Sequence, residues 1–183
     1  PNGTVNLYNS APAAEMIVDV AGWFSGGFTP VTPSRIMDTR EGLGGIVLGP
    51  NETRRLQVVG VGGVPAFGVD AVAANITVTE PTGSGFSTAW PSGRSRPVAS
   101  NLNFGPGTTV SNAAVIGVGP GGTIELYNSS GSSHVVVDIT GWFPGSTGGV
   151  ATFVGATPRR VIDTRNAIGV PKVRIPAGGT ITI

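Results

Sequence analysis

The sequence predicts an all-β protein, and three observations support that prediction. The 30 glycines and 15 prolines make up about a quarter of the 183 residues, so the chain turns often. Runs such as 71–80 and 135–143 are dominated by β-branched and aromatic residues and end in Gly, Pro, Asn or Ser, which is typical of strands. Nowhere does an apolar pattern of helical period last for about three turns.

Three connections between the predicted strands are rich in turn residues. They are PTGSG (81–85), GPGG (119–122) and NSSGSS (128–133). Short connections of this composition between β-rich runs are typical of hairpins. The sequence therefore predicts a hairpin at each of these three places.

Two segments of the chain occur twice. Residues 1–24 return as 120–143 with 12 of the 24 positions identical. The octapeptide PSRIMDTR (33–40) returns as PRRVIDTR (158–165). Self-similarity at a long, nearly fixed spacing is the signature of repeated structural units. We therefore interpret the chain as a part of a tandem array of repeats.

The repeats predict the domain organisation. Residues 1–24 are the C-terminal part of a preceding repeat, 28–143 form one complete β unit, and 151–183 are the N-terminal part of a following repeat. Isolated fragments of two or three strands are marginal in water. We therefore expect each terminal fragment to dock on the central unit or on a neighbouring copy that supplies the missing strands.

A weaker repeat lies inside the complete unit, where 74–93 aligns with 112–131. It divides the unit into three segments of about forty residues, which favours a pseudo-threefold, β-trefoil-like unit of about 120 residues. A β-sandwich is the alternative, because hairpins share turn residues in any all-β fold.

Charge and composition exclude several classes of function. Eleven basic and ten acidic residues give a net charge of +1, with no basic cluster, so nucleic-acid binding is not expected. No apolar run approaches the roughly 20 residues of a membrane helix, so membrane insertion is not expected either. The chain has no cysteine and one histidine, His134, which excludes thiolate catalysis, Cys-ligated zinc and multi-histidine metal sites. We expect no cofactor.

The densest groups of charge are the two copies of one motif, RIMDTR and RVIDTR. In an extended strand, the aspartate and the last arginine of each copy lie on the same face, about two residue rises apart. The arginine fork could hold a carboxylate or a sugar hydroxyl, but a structural ion pair that fixes one lobe against the next is favoured. The six residues are Arg35, Asp38, Arg40, Arg160, Asp163 and Arg165.

Two aspartates and one tryptophan are further candidates. Asp19 and Asp138 interrupt apolar strands at equivalent positions, and burying a carboxylate without a partner is costly. We predict that both are buried and hydrogen-bonded, to backbone amides or to an arginine of the adjoining strand such as Arg40 or Arg165; a metal site is the less favoured alternative. Trp90 is the candidate for stacking on a sugar ring, although core packing is favoured. His134 aligns with Glu15, so a catalytic histidine is not expected.

The order of motifs resembles a known kind of module. It runs R-[IV]-[MI]-D-T-R, GVGGVPAFGVDAVAANITVTEPTGSGFSTAWPSG, RPVASNLNFGPGTTVSNAAVIGVG and LYNSSGSSHVVVDITGWF. This order is similar to a repeat module of large secreted proteins of actinobacteria and related soil and water bacteria, over nearly the whole chain. The resemblance implies an extracellular, modular and non-catalytic part, without established binding residues.

Together these observations favour a non-enzymatic structural module of an extracellular or cell-surface protein, serving as a spacer, stalk or filament subunit. The expected partners are neighbouring repeats or copies of the same protein, with glycans as a further candidate. The alternative is a carbohydrate-binding, lectin-like module, because a trefoil would offer up to three equivalent shallow sites. Trp90 aligns near Tyr127, but the first lobe has no matching aromatic residue.

Overall fold

β-Strands make up the regular structure of the chain. The computed structural model describes residues 6–8, 13, 15–24, 27–145 and 153–182. Apart from one short 3₁₀ turn, every regular element of this described part is a strand, which confirms the predicted all-β class. In the same residues, no helix is long and apolar enough to cross a membrane.

Twelve strands are numbered in chain order. They are β1 (Asn6–Tyr8), β2 (Ile17–Phe24), β3 (Thr29–Asp38), β4 (Glu52–Gln57), β5 (Val69–Thr79), β6 (Gly85–Pro91), β7 (Leu102–Phe104), β8 (Val110–Gly117), β9 (Thr123–Asn128), β10 (His134–Pro144), β11 (Phe153–Asp163) and β12 (Thr180–Thr182). The 3₁₀ turn is Pro120–Gly122, between β8 and β9.

The chain divides into two units. The central unit is Ala21–Thr157, and the terminal unit combines Pro1–Val20 with Pro158–Ile183. The two ends of the chain therefore belong to one unit. The sequence predicts that each end docks on the central unit or on a neighbouring copy. It does not predict the observed pairing of the two ends with each other. The physical reason is that each end carries strands complementary to those of the other.

The strands of the central unit form two four-stranded antiparallel sheets. One sheet has the order β3-β10-β5-β8, and the other has the order β4-β9-β6-β7. Only β6 and β7 are consecutive strands that pair with each other; every other connection in this unit crosses from one sheet to the other.

This strand order corrects the hairpin predictions. The segments 81–85, 119–122 and 128–133 join β5 to β6, β8 to β9, and β9 to β10, and each of these pairs of strands lies in different sheets. Turn residues mark where the chain reverses but do not specify which strand becomes the partner. The three turns are therefore corners between sheets, not hairpins.

One apolar core takes residues from both sheets. Along β10, Val135, Val137 and Ile139 alternate into this core, as the period of two in a strand requires. The largest side chains that are fully buried in the core come from β3, the β3–β4 connection, β5, β9 and β10. They are Met37, Leu48, Ile76, Ile124, Leu126 and Ile139.

A bulge in β10 explains the glycine of the GWF motif. The registers of β10 with β3 and with β5 both shift between Ile139 and Gly141. A Cβ at Gly141 would overlap the ring of Phe28, which packs on Phe143 with 4.9 Å between ring centroids. Only glycine leaves room for this close approach.

Four strands that lie wholly or partly in the terminal unit repeat strands of the central unit; β2 begins in the terminal unit and β11 ends in it. β1 pairs with β12, and β2 pairs with β11. By the sequence repeat, β1 and β2 correspond to β9 and β10, and β11 corresponds to β3. β12 follows β11 and pairs with β1, as β4 follows β3 and pairs with β9. Tyr8 lies opposite Thr180, as its equivalent Tyr127 lies opposite Thr53. Equivalent strands are therefore paired in the same way in both units.

Candidate functional site

The Asp38 carboxylate is the centre of the first charged cluster. Asp38 ends β3 and is 3% exposed. It accepts hydrogen bonds from Arg40 Nε (2.9 Å) and Nη2 (2.7 Å), from the Arg40 backbone N–H (3.1 Å), and from Arg35 Nη1 (3.0 Å). Its backbone also pairs with Leu43 in both directions, at 2.9 and 3.0 Å. The carboxylate thus fixes the turn that follows β3.

Arg35 joins this cluster to the neighbouring strand. Arg35 and Asp138 lie opposite each other in the β3–β10 register. The guanidinium donates from Nε to Oδ1 at 2.9 Å and from Nη2 to Oδ2 at 3.2 Å. Asp138 is therefore hydrogen-bonded to an arginine of the adjoining strand as predicted, but the arginine is Arg35, because Arg40 bonds Asp38 instead. The predicted burial is wrong in degree, because the side chain is 22% exposed at the sheet surface.

The second motif copy builds the same cluster in the terminal unit. Asp163 is fully buried and accepts hydrogen bonds from Arg165 Nε (3.1 Å), Nη2 (3.0 Å) and backbone N–H (2.9 Å). Asn166 adds a further bond at 3.0 Å. Arg160 Nη1 lies 3.6 Å from Asp163, the place that Arg35 takes beside Asp38.

Asp19 occupies the position of Asp138 in this second cluster. Its Oδ1 lies 3.4 Å from Arg160 Nε, an ion pair between the residues equivalent to Asp138 and Arg35. Both of these atoms are buried without a hydrogen bond. As predicted, Asp19 and Asp138 have equivalent partners, each an arginine of the adjoining strand. The distance between the charged atoms is longer in the terminal unit, 3.4 Å against 2.9 Å.

Arginine controls the ionisation of both central carboxylates. The Arg40 guanidinium holds the pKa of the Asp38 carboxyl well below its usual range, against the opposing effect of burial. Arg165, followed by Asn166, does the same to the pKa of Asp163. In return, Asp38 raises the pKa of Arg40. Both carboxylates remain anionic at neutral pH, so neither is poised to donate a proton as a general acid.

The threonine between the aspartate and the arginine of each motif also has a role. Thr39 Oγ1 accepts a hydrogen bond from the Val135 N–H (2.9 Å), and the Thr39 N–H donates to Val135 O (3.1 Å). Thr164 makes the same two contacts with Met16, at 3.1 and 3.2 Å. Sequence reasoning missed this pair, although both copies of the motif carry the threonine.

His134 is attached to the first of these threonines. Its Nδ1 lies 3.0 Å from Thr39 Oγ1. This contact ties the start of β10 to the turn after β3. The only histidine of the chain therefore makes a local structural contact. In the other copy of this segment, Glu15 occupies the equivalent position.

Trp90 lies apart from the charged clusters, on β6 in the other sheet. It is 5% exposed, and its Nε1 donates to Arg94 O at 2.9 Å. Tyr127, which aligns near Trp90, is 7% exposed, and the Arg96 guanidinium lies 3.7 Å from the centre of its ring. Neither ring offers an open face to a sugar, so the structure supports the core-packing interpretation of Trp90.

A shallow groove of about 440 Å³ opens beside the first cluster, with Arg35, Leu43, Arg55 and Gln57 among its lining residues. Arg55 is bonded to Glu125 through Nε (3.0 Å) and Nη2 (2.8 Å). Arg35 is bonded to two aspartates. Both arginines of the groove are thus bonded to carboxylates of their own chain, and an anionic ligand would have to compete with these carboxylates.

The structure thus assembles the predicted site residues into two clusters and leaves one apart. Arg35, Asp38, Arg40 and Asp138 form the first cluster, and Arg160, Asp163, Arg165 and Asp19 form the second. Among the residues that the structure describes, no three acidic or histidine side chains are placed to hold a metal ion. No model of a known protein family matches the chain, and no curated protein is significantly similar to it.

Proposed function

We propose that the chain is a non-enzymatic structural repeat module of an extracellular or cell-surface protein, serving as a spacer, stalk or filament subunit. One observation carries the proposal. The same arginine–aspartate cluster, with the same threonine contact, is built in both units from different parts of the chain. Residues that recur in this way and bond mainly to each other serve the pairing of strands.

The use of the charged groups supports the absence of catalysis in this proposal. Asp38 and Asp163 receive their hydrogen bonds from their own motif and keep their charge, as a structural ion pair does. A catalytic carboxylate would instead be tuned towards the working pH and would reach a substrate. The extracellular location rests on the resemblance of the motif order to repeats of secreted proteins.

We further propose that the complete unit is a two-sheet sandwich with the connectivity of a jelly roll, in place of the pseudo-threefold trefoil. The strand orders β3-β10-β5-β8 and β4-β9-β6-β7 support this arrangement. Eight antiparallel strands in two sheets, with most connections crossing between them, are the hallmark of jelly rolls. The three segments of about forty residues would then be successive crossings between sheets.

Two measurements on the whole chain test the structural role. Antibody labelling of intact cells is expected to detect the protein at the surface, and a glycan array is expected to show no selective binding. The variant for the glycan array is Arg55→Gln. The Arg55 side chain is 64% exposed in the groove, so this change leaves the core intact. Selective glycan binding by the parent chain, lost in this variant, would establish the lectin alternative. Labelling only after the cells are opened would contradict the extracellular location.

A further inference from the structure

In the part of the chain that the structure describes, the terminal unit has four strands, wholly or in part, against eight in the complete unit. Its strands β1, β2, β11 and β12 correspond to β9, β10, β3 and β4. The segment that forms β5 to β8, residues 69–117, does not occur a second time in the sequence. Within the described residues, β2 has one sheet neighbour, β11, whereas its equivalent β10 pairs with β3 on one side and with β5 on the other.

The β5 strand covers its edge of β10 over ten residue pairs. In this register Thr77 lies opposite Val136, and Asn75 lies opposite Asp138. The residues of β2 at these two positions are Ile17 and Asp19. Of the eight residues in β2, five are identical to those of β10 and the others are conservative changes. β2 therefore presents nearly the same edge to a strand of β5 sequence.

The apolar side chains of β2 are less covered than their equivalents in β10. Val136 is 3% exposed, whereas its equivalent Ile17 is 37% exposed. Val137 is fully buried, whereas its equivalent Val18 is only half-buried. An apolar strand with an uncovered edge is a template for pairing with a further strand.

We propose that β2 is a docking edge for a strand of β5 sequence supplied by another repeat of the same kind. The incoming strand adds antiparallel to β2, with its Thr77 opposite Ile17 and its Asn75 opposite Asp19. Main-chain hydrogen bonds supply affinity, and the alternating apolar side chains fix the register. This inference rests on the geometry of the strands and stands whether or not the module is an extracellular spacer.

The state of the incoming strand follows from the same topology. In a complete unit, β5 is already paired with β10 on one side and with β8 on the other. A folded second copy therefore has no β5 to offer. The strand that docks on β2 belongs to a repeat whose own sheets are not yet assembled, and docking would join two segments of repeats during folding.

Disulfide trapping tests both the site and the register, because the chain contains no cysteine of its own. The full chain carries Ile17→Cys, and the partner is a synthetic peptide of residues 68–80 with Thr77→Cys and lysines added at its C-terminus. The two sulfur atoms then lie on directly opposed residues of an antiparallel pair, which a disulfide can span. In a glutathione buffer, we expect the cross-linked product to accumulate.

Two controls separate this pairing from random oxidation. A peptide with Ile76→Cys in place of Thr77→Cys directs its thiol to the opposite face of the strand, and the cross-link is expected to be lost. A chain with Val136→Cys in place of Ile17→Cys is expected to remain unlinked, because its own β5 already covers that position. Equal yields with either control, or no product with the matched pair, would overturn the proposal.

Hydrogen exchange of the cysteine-free chain with the unmodified peptide gives a second readout. Exchange of the backbone amides of β2 is expected to slow when the peptide is added, while exchange in β10 stays unchanged. Slowing in β10 alone, or in neither strand, would contradict docking on β2.

Discussion

Arg35 holds Asp138 across the β3–β10 pair by two hydrogen bonds, at 2.9 Å from Nε to Oδ1 and at 3.2 Å from Nη2 to Oδ2. Two parallel bonds of this kind fix the orientation of both side chains, which a single point contact does not. The same guanidinium bonds Asp38 at 3.0 Å, so one arginine connects the motif to its partner strand. Arg160 and Asp19 recur at the equivalent positions as an ion pair of 3.4 Å, in which Arg160 Nε and Asp19 Oδ1 make no hydrogen bond.

The first prediction concerns the threonine of the motif. Replacing Thr39 with Val removes the acceptor of the buried Val135 N–H. Leaving that donor unpaired is expected to lower the free energy of unfolding by about 1–3 kcal/mol. Thr39→Ser keeps the oxygen and is expected to restore most of the loss. Urea unfolding of both variants checks this, and an equal loss in Ser and Val would show that the hydroxyl contributes nothing.

The second prediction concerns acid pH. The pKa of Asp38 is lower in the folded chain than the ordinary value, so the unfolded chain binds more protons in acid. The stability from this group is fully present above the ordinary aspartate pKa of about 3.9 and is lost as the pH falls towards the folded-state pKa. Asp38→Asn is therefore expected to be less stable than the parent at neutral pH.

The measurement is the urea midpoint of the parent and of Asp38→Asn, followed from neutral pH down to about pH 2, where most carboxyl groups are protonated. The difference between the two midpoints is expected to shrink as the pH falls below the ordinary aspartate pKa. Glu41→Gln is the control, because Glu41 is exposed and lies on the same turn. Parallel curves for the parent and Asp38→Asn would show that the carboxylate of Asp38 does not stabilise the fold.

The positions of the strands could be predicted from the sequence, because β-branched residues at a period of two are a local signal. The equivalence of Asp19 and Asp138 could also be predicted, because their segments repeat. The sheet partners could not. The same alternation permits pairing with any strand of similar length, and the choice between partners depends on contacts far apart in the sequence.

The pairing of the two ends illustrates this limit. The contact between Met16 and Thr164 joins residues 148 positions apart, and no local pattern marks it. The signal was nevertheless present, because the repeat equates Met16 with Val135 and Thr164 with Thr39. Once one unit pairs those strands, the terminal fragments have the residues to pair in the same way.

The third prediction concerns the bulge of β10. A methyl group at Gly141 would overlap the ring of Phe28 and approach Thr29 O to 2.8 Å. Gly141→Ala is therefore expected to lower the free energy of unfolding by about 1–3 kcal/mol through overpacking. Gly27→Ala is the matched control, because nothing lies within 4 Å of a Cβ at that position. The difference between the two unfolding midpoints in urea is the measurement, and equal midpoints would show that Phe28 moves aside without cost.

The fourth prediction compares equivalent core residues of the two units. Met37 and Ile162 each precede the aspartate of the motif, and they are 0% and 2% exposed. Met37 packs in the core that both sheets of the central unit share. Met37→Ala is therefore expected to cost the central unit about 2–5 kcal/mol. Ile162→Ala is expected to destabilise the terminal unit and to leave the central unit unchanged, because Ile162 lies in the part of β11 that belongs to the terminal unit.

Hydrogen exchange resolved to single residues distinguishes the two effects. Met37→Ala is expected to speed the exchange of slowly exchanging amides in β5 and β10, whereas Ile162→Ala is expected to speed exchange in β2 and β11. The exposed-residue control is Ile46→Ala, at 70% exposure, which is expected to change stability by no more than about 0.5 kcal/mol. Faster exchange in both units with either core variant would show that the two units unfold together.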